Sequence, residues 1–304
     1  MAFNMKNDLW VCFTQDVERI IEYSPTGGPS DWVAAKNSTD SYCKILKEGG
    51  FYATLFVVPD TASEQRDFLI EKKNEGHELG MHFHDQSYLD HWMRPECYDY
   101  LGGYTAEEQK AKLMEAQNRW KEALGFYPKA MRGGNFSAND STYAVLVEIG
   151  FTHGSVSQPG RDCNEYMANW EGACRDVHRA HKAFRHVAGD LDFVEIPATT
   201  DTTPQSVWRF GDIRIEGTNA ETLCRVTEND IARQIKNDVG FKHLCYFTHN
   251  TVNYYDEANK ANYCGDKIKI LSRHIGDLCD KYNLNLRPAT LAGIREAYLA
   301  TRFS

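Results

Sequence analysis

The sequence predicts an α/β protein of parallel strands, in an open sheet or rolled into a barrel, and three observations carry that expectation. Five segments, KEGGFYATLF, NEGHELGMHF, ALGFYPKAMR, EIGFTHGSV and DVGFKHLCYFTH, each end a helical stretch at Gly, with a short apolar run following within one to five residues. Glycine supplies the left-handed turn that closes a helix, and the β-branched and aromatic residues after it suit a buried strand. Helical stretches separate these runs, and strands alternating with helices argue for βαβ units. The longest apolar runs, such as Tyr52 to Pro59 and Leu244 to Phe247, are strand-length, well short of the ~20 residues a membrane span needs.

In chain order, Leu9 to Phe13 reads as the first strand and runs into Thr14, Gln15, Asp16, Val17 and Glu18. A helix is expected over Ser63 to Asn74, then a strand over Glu78 to Met81 leading into His82, Phe83, His84 and Asp85. The next helix, Ala106 to Leu124, opens on Thr105 and Glu108, a capping box. Met131 leads to Arg132, Gly133, Gly134 and Asn135, with a helix from about Ser141 to Ile149. The rhythm lapses from about Gly160 to Asn219, an expected irregular insertion carrying Trp170 and Trp208. It resumes with a helix over Glu228 to Asp238, a strand Leu244 to Phe247 ending in Thr248, His249 and Asn250, and a helix over Lys267 to Tyr282. A last helix follows Pro288, with Thr290 as its cap.

Composition narrows the function. The 304 residues carry 34 Lys+Arg against 43 Asp+Glu, a formal net charge of −9, with no basic stripe to grip a phosphate backbone. With 42% hydrophobic and 12% aromatic residues the chain can build a sizeable core, and barrels of this length commonly form one domain. A single catalytic domain over residues 1–304 is therefore expected. Nine cysteines, an odd number with no CxxC pair, read as reduced thiols and against a cysteine-bound zinc. The N-terminal MAFNMKNDLWVCF shows no secretory pattern, so a cytoplasmic location is expected.

Sheets of this class put their chemistry at the carboxyl ends of the strands. Four of the predicted strands end in charged or imidazole side chains. His82 and His84, two apart, point to one side of an extended strand, and a carboxylate from a neighbouring strand, Glu18 or Asp16, would complete the two-histidine, one-carboxylate set that holds Zn²⁺ with an open position. The competing reading of a lone HxH is a pair of solvated or hydrogen-bonded histidines. Asp16 and Glu18 alternate to a common face, which suggests a division between ligand and general base. Arg132 could hold one of them bidentately, or be an ordinary structural ion pair. His249 could protonate a leaving amine, against the plainer reading of a satisfied core histidine. On a helix, His178 and His181 of VHRAHKAFRH would be neighbours and a second metal site conceivable, but the adjacent cations disfavour it, and a basic surface patch is the favoured reading.

In order along the chain, these pieces resemble the polysaccharide deacetylase family, whose domain is a distorted (β/α) barrel of the NodB type with parallel strands. GHELGMHFH looks like the family's metal segment, PKAMRGGNFSANDSTYAVLVEIGF resembles its arginine motif and following helix, and FVEIPATT is similar to a strand that lines its groove. The resemblance covers most of the chain, from FTQDVE to FTHN. It implies a divalent metal, zinc foremost, held by Glu18, His82 and His84, with Asp16 as the general base that activates water, Arg132 tethering that base and His249 as general acid. It also implies hydrolysis of an N-acyl group, typically acetyl, on an amino sugar or small glycoconjugate. Relatives that open C–N bonds of cyclic amides or purine breakdown products, sometimes without metal, supply an alternative, and an inactive carbohydrate-binding relative another. The partner expected is thus a small molecule or oligosaccharide, with no nucleic acid and no membrane span.

Three departures matter. Gln86 stands where the usual H-x-x-x-H would put a second histidine, so His84 must serve. Gly133 and Gly134 replace the usual proline and aromatic after the arginine, and Glu18 replaces the commoner aspartate. Around the centre, Gly134 and Asn135 could present a backbone N–H to an oxyanion. Asn250 beside His249, Trp92 in a loop from Gln86 to Gly103 that could act as a lid, and Trp208 complete the expected substrate contacts. For each tryptophan core packing is the competing reading.

Overall fold

Alternation along the first strand sorts the molecule into layers. The structure, a computed structural model, describes residues 5–24, 27–85, 100–201, 211–258 and 263–301. In β1 (Asp8–Val17) Val11, Phe13 and Val17 join the large apolar cluster under the helices, whereas Cys12 packs with Phe56, Ala130 and Cys245 in a second cluster on the other face. Thr14 and Asp16 follow Cys12 at the two-residue period, so the second face becomes polar towards the strand's carboxyl end.

The elements follow as α1 (Trp32–Glu48), β2 (Ala53–Val57), α2 (Pro59–Glu64), α3 (Arg66–Asn74), β3 (Glu78–Phe83), α4 (Ala106–Leu124), β4 (Ala130–Gly133), α5 (Thr142–Glu148) and β5 (His153–Gly154). Next are the short strands β6 (Asp162–Cys163), β7 (Ala168–Asn169), β8 (His178–Arg179) and β9 (Val194–Glu195). α6 (Ala220–Lys236), β10 (Lys242–His249), α7 (Gly265–Tyr282), β11 (Asn285–Pro288) and α8 (Leu291–Ala300) complete the chain. The main sheet runs β10-β1-β2-β3-β4-β5-β9-β8, with β11 paired to the start of β1, and every pairing but β8 with β9 is parallel. Beyond β9 the chain reaches the free edge of β10, where the Thr199 and Ile215 N–H groups donate to Cys245 and Phe247. Isolated bonds in place of a full ladder make this a curled, mostly parallel half-barrel surrounded by helices, the distorted (β/α) barrel expected.

Local chemistry explains the helix ends. Thr105 and Glu108 form the capping box reciprocally, and Gly125 at φ 87 closes α4. Gly50, Gly76 and Gly150 also take positive φ, but in DVGF the left-handed residue is Asp238 at φ 51, not Gly240. The helix expected over Ser63 to Asn74 is two helices. Pro59 starts the first earlier, as suits proline's fixed φ, and Gln65 at φ −115 and ψ 27 interrupts them. Asn219 caps α6 two turns before the expected start, by accepting from the Thr222 N–H at 2.8 Å. At the opposite end of the sheet from the predicted chemistry, Thr290 caps α8, and Glu78 accepts the Ala292 N–H at 2.9 Å while bonded to His153 and Thr54.

The stretch read as an irregular insertion holds β6 to β9, and its β9 extends the main sheet. VHRAHKAFRH is not helical: His178 sits in β8, buried, with Nδ1 donating to the Asp176 carbonyl. His181 Nδ1 accepts from Ala183 and Phe184 N–H groups, so these histidines serve local turns. The eight cysteines among the described residues are free thiols. Among these residues no helix is long and apolar enough to cross a membrane.

Candidate active site

Strand register brings the predicted residues to one end of the sheet. Asp16 pairs with His249 across β1 and β10, and His82 pairs with Arg132 across β3 and β4. Arg132, fully buried, donates through Nη1 to Asp16 Oδ1 and to Thr14 Oγ1, each at 2.8 Å, and through Nε to the Ser155 carbonyl at 3.1 Å. Its guanidinium lies over Phe56 and Phe136, 4.5 and 5.1 Å from their ring centres. The aromatic faces and the three acceptors fix the fork, so one oxygen of Asp16 is held while Oδ2 faces the cavity. Burial alone would raise the Asp16 carboxyl, but the charges of Arg132, His82 and His249 outweigh it and hold it below the usual carboxylate range.

Of the two carboxylates left open by the sequence, Glu18 is the one that reaches both histidines. Its Oε1 lies 3.1 Å from His82 Nε2 and 3.3 Å from His84 Nε2, whereas Asp16 Oδ2 is 3.9 Å from His82 Nε2. Ligand atoms of Glu18, His82 and His84 lie within 4.8 Å of one another, all three residues buried. His82 Nδ1 is 3.1 Å from the Arg132 carbonyl, which can only accept, so Nδ1 keeps its proton, and it is Nε2, 3.1 Å from Glu18 Oε1, whose lone pair would be offered to a cation at the shared centre. Two imidazoles and a carboxylate converging in this way fit a divalent cation of the zinc type. Without a cation, burial disfavours the Glu18 carboxylate, yet His84 and His82 hold its pKa well below the ordinary value.

His249 has a partner the sequence reading missed. Its Nδ1 bonds Glu216 Oε1 at 2.5 Å while Nε2 faces Asp16 Oδ2 at 3.8 Å. Thr248 donates to the other Glu216 oxygen at 2.6 Å, and Lys267 donates to the backbone carbonyls of Ile215 and Glu216. Burial lowers the His249 pKa, but the Glu216 carboxylate, followed by Asp16 and Glu18, outweighs this and pushes it up to about 9. A signal for Glu216 was present: in Asp212 to Glu216 the charged residues Asp212, Arg214 and Glu216 alternate with buried Ile213 and Ile215. That is strand periodicity with a charged face.

These groups line a cavity of about 640 Å³ together with Asn135, Phe136, Arg161, Tyr166, Asp212, Arg214 and Phe247. Asn135 lies at φ 54 on its wall. Gly134 sits against the His84 ring. Asn250 is buried with its amide spent on Glu18, accepting from the Glu18 N–H at 3.0 Å and donating to its carbonyl at 3.1 Å, so it faces the backbone of a candidate ligand and not the cavity. Trp92, Trp208, Gln86 and most of the expected lid lie outside the described residues. Trp170 is a core residue, wholly buried, its indole N–H donating to the Phe136 carbonyl.

Comparison with known proteins agrees with this fold. Residues 27–154 match the family model described as polysaccharide deacetylase, a span that holds His82, His84 and Arg132 but not Asp16 or His249. No curated protein matches the sequence. Among solved structures, the chain is similar to a protein from Mycobacterium smegmatis described as a polysaccharide deacetylase, at 16% identity and TM-score 0.62, covering 99% of this chain and 94% of that one. It is similar to a Pseudomonas aeruginosa PAO1 protein described in the same way, at 16% identity and TM-score 0.55, over 96% and 91% of the two chains. The PuuE allantoinase is matched at 14% identity and TM-score 0.59, over 97% and 92%. At such identities these likenesses show the fold. The resemblance to the polysaccharide deacetylase family, read from separate motifs, is thereby shown for the chain's matched segment and for its NodB-type barrel.

Proposed function

We propose that the protein is a divalent-cation-dependent hydrolase, folded as one catalytic domain, that removes an N-acyl group, foremost acetyl, from an amino sugar or small glycoconjugate. The observation that carries this reading is the juxtaposition of three units in one cavity: the Glu18, His82 and His84 cluster, the Arg132-tethered Asp16, and the Glu216-paired His249. Glu18, His82 and His84 would hold the cation, zinc foremost, which supplies Lewis-acid polarisation of the acyl carbonyl and of water.

The remaining chemistry belongs to the chain's own side chains. Asp16, ionised and aimed by Arg132, takes a proton from water through its cavity-facing Oδ2 as the water oxygen bonds the acyl carbon. The C–N bond then breaks, and His249, kept protonated by Glu216, gives its Nε2 proton to the leaving nitrogen. The free amine and the carboxylic acid leave. The 3.8 Å between Asp16 Oδ2 and His249 Nε2 suits a base and an acid acting on adjacent atoms of one amide. A cavity of about 640 Å³ is within the ~300–1,000 Å³ range of small-molecule sites, which favours a substrate of one or a few sugar rings. The PuuE allantoinase of like fold supplies a second reading, opening of a cyclic amide.

Acid release from a panel of N-acetylated mono- and disaccharides and of cyclic amides, before and after chelation, tests both. Release from the sugars, abolished by chelator and restored by Zn²⁺, is expected. Release from cyclic amides alone would replace the first reading with the second.

A further inference from the structure

We infer that Gly134 is a positioning residue for the cation site: the absence of a side chain at 134 is what lets His84 serve as the second histidine ligand. The inference rests on the proposed cation site and accounts for two departures from the family pattern, the HxH spacing and the second glycine after the arginine, as one device. A Cβ built on Gly134 would lie 2.3 Å from His84 Cε1, 2.4 Å from Nδ1 and 2.7 Å from Nε2. Contacts that short are far inside van der Waals separation, so any residue but glycine must move the ring or the backbone behind it.

The backbone on either side has little freedom to move. Asp85, next in the chain and buried, accepts from Tyr104 Oη at 2.5 Å and from Lys112 Nζ at 3.0 and 3.2 Å, which pins the segment carrying His84. On the facing side, Gly134 follows β4, and its carbonyl accepts the Ser137 N–H at 3.0 Å. Arg132, two residues earlier, is fixed by three hydrogen bonds. The softest coordinate is the His84 side-chain torsion, and turning it carries Nε2 away from Glu18 Oε1, now 3.3 Å distant. Sequence spacing puts the second histidine only two residues after the first, where its ring is pressed against the arginine loop. The glycine opens the space that this shorter spacing requires.

The test is calorimetric titration of Zn²⁺ into apo protein, for the wild type, Gly134→Ala, His84→Ala and the double variant, with a thermal melt of each. Gly134→Ala is expected to weaken Zn²⁺ binding by about 10–100-fold, as for the loss of a group that orients a ligand. In the His84→Ala background, where the ring is gone and ion binding is lost with it, the same substitution should shift the thermal melt much less than it does with His84 present. Should Gly134→Ala fail to fold, the double variant is expected to fold, because removing the ring removes the collision. Equal binding by wild type and Gly134→Ala, an undiminished effect of the alanine on the melt in the His84→Ala background, or misfolding of both variants overturns the inference while leaving the cation site standing. No binding by the wild type overturns the site itself, and the inference with it.

Discussion

Replacing Glu216 by Gln removes one negative charge beside His249 while keeping volume and hydrogen-bonding capacity. The 2.5 Å contact and the flanking carboxylates raise His249 from an ordinary 6.5 to about 9 against the opposing effect of burial. At about 1.36 kcal/mol per pKa unit, that preference for imidazolium is worth roughly 3 kcal/mol. Glu216 is the largest of the charges responsible, and loss of an opposite charge in contact lowers such a pKa by on the order of 1–3 units. Because His249 acts as an acid, activity falls as pH rises past its pKa, so the alkaline limb of kcat/KM should move to lower pH in Glu216→Gln by that amount. Stability follows the same sign: a pKa raised on folding contributes fully below the unfolded value near 6.5 and is lost as pH rises through about 9. The melting temperature of the variant should therefore trail the wild type most at pH 6 and converge with it above pH 9. A pH-rate profile of both proteins on the best substrate of the panel, with histidine resonances followed by NMR, measures this. An unmoved alkaline limb and an unmoved His249 resonance in folded Glu216→Gln would refute the reasoning.

Other substitutions separate the parts of the site. Asp16→Asn should lower turnover by about 10²–10⁴-fold, the usual worth of a general base, while calorimetric Zn²⁺ affinity stays within a few-fold; loss of binding would make Asp16 a ligand. Arg132→Ala strands a buried carboxylate and should cost about 3–5 kcal/mol in denaturant unfolding, well above a surface ion pair. Thr290→Ala, at the cap of α8 on the opposite end of the sheet, should cost about 1 kcal/mol with turnover unchanged, which calibrates pure stability loss against the site variants.

The parts of this site that could be read in the sequence are those built from local pattern. The two-residue period of a strand put His82 with His84 and Asp16 with Glu18, and the capping box and the glycine turns set the helix rhythm that made a parallel sheet the natural reading. What escaped depended on contacts distant in sequence. Glu216 lies in an irregular segment and meets His249 33 residues later, through a backbone bond from Ile215 to Phe247 that no local propensity announces. Asn250 looked like a substrate contact because it follows His249, but the register of β1 with β10 turns its amide onto the Glu18 backbone, 232 residues away. The helix α1 (Trp32–Glu48) was visible only through the glycines that follow it, since its cap, Asp31, has no glutamate three residues on. Strand β11 is mostly exposed at the edge of β1, and its short polar run carries no period to detect.

The central claim is that Glu18, His82 and His84 hold a divalent cation in working position beside Asp16 and His249. Metal content by mass spectrometry, on protein purified without added metal and on His82→Ala and His84→Ala, tests it most directly. The account predicts about one zinc-type ion per chain in the wild type and its loss from both variants. A wild type that carries no ion even after incubation with Zn²⁺, or variants that retain it, would contradict the account.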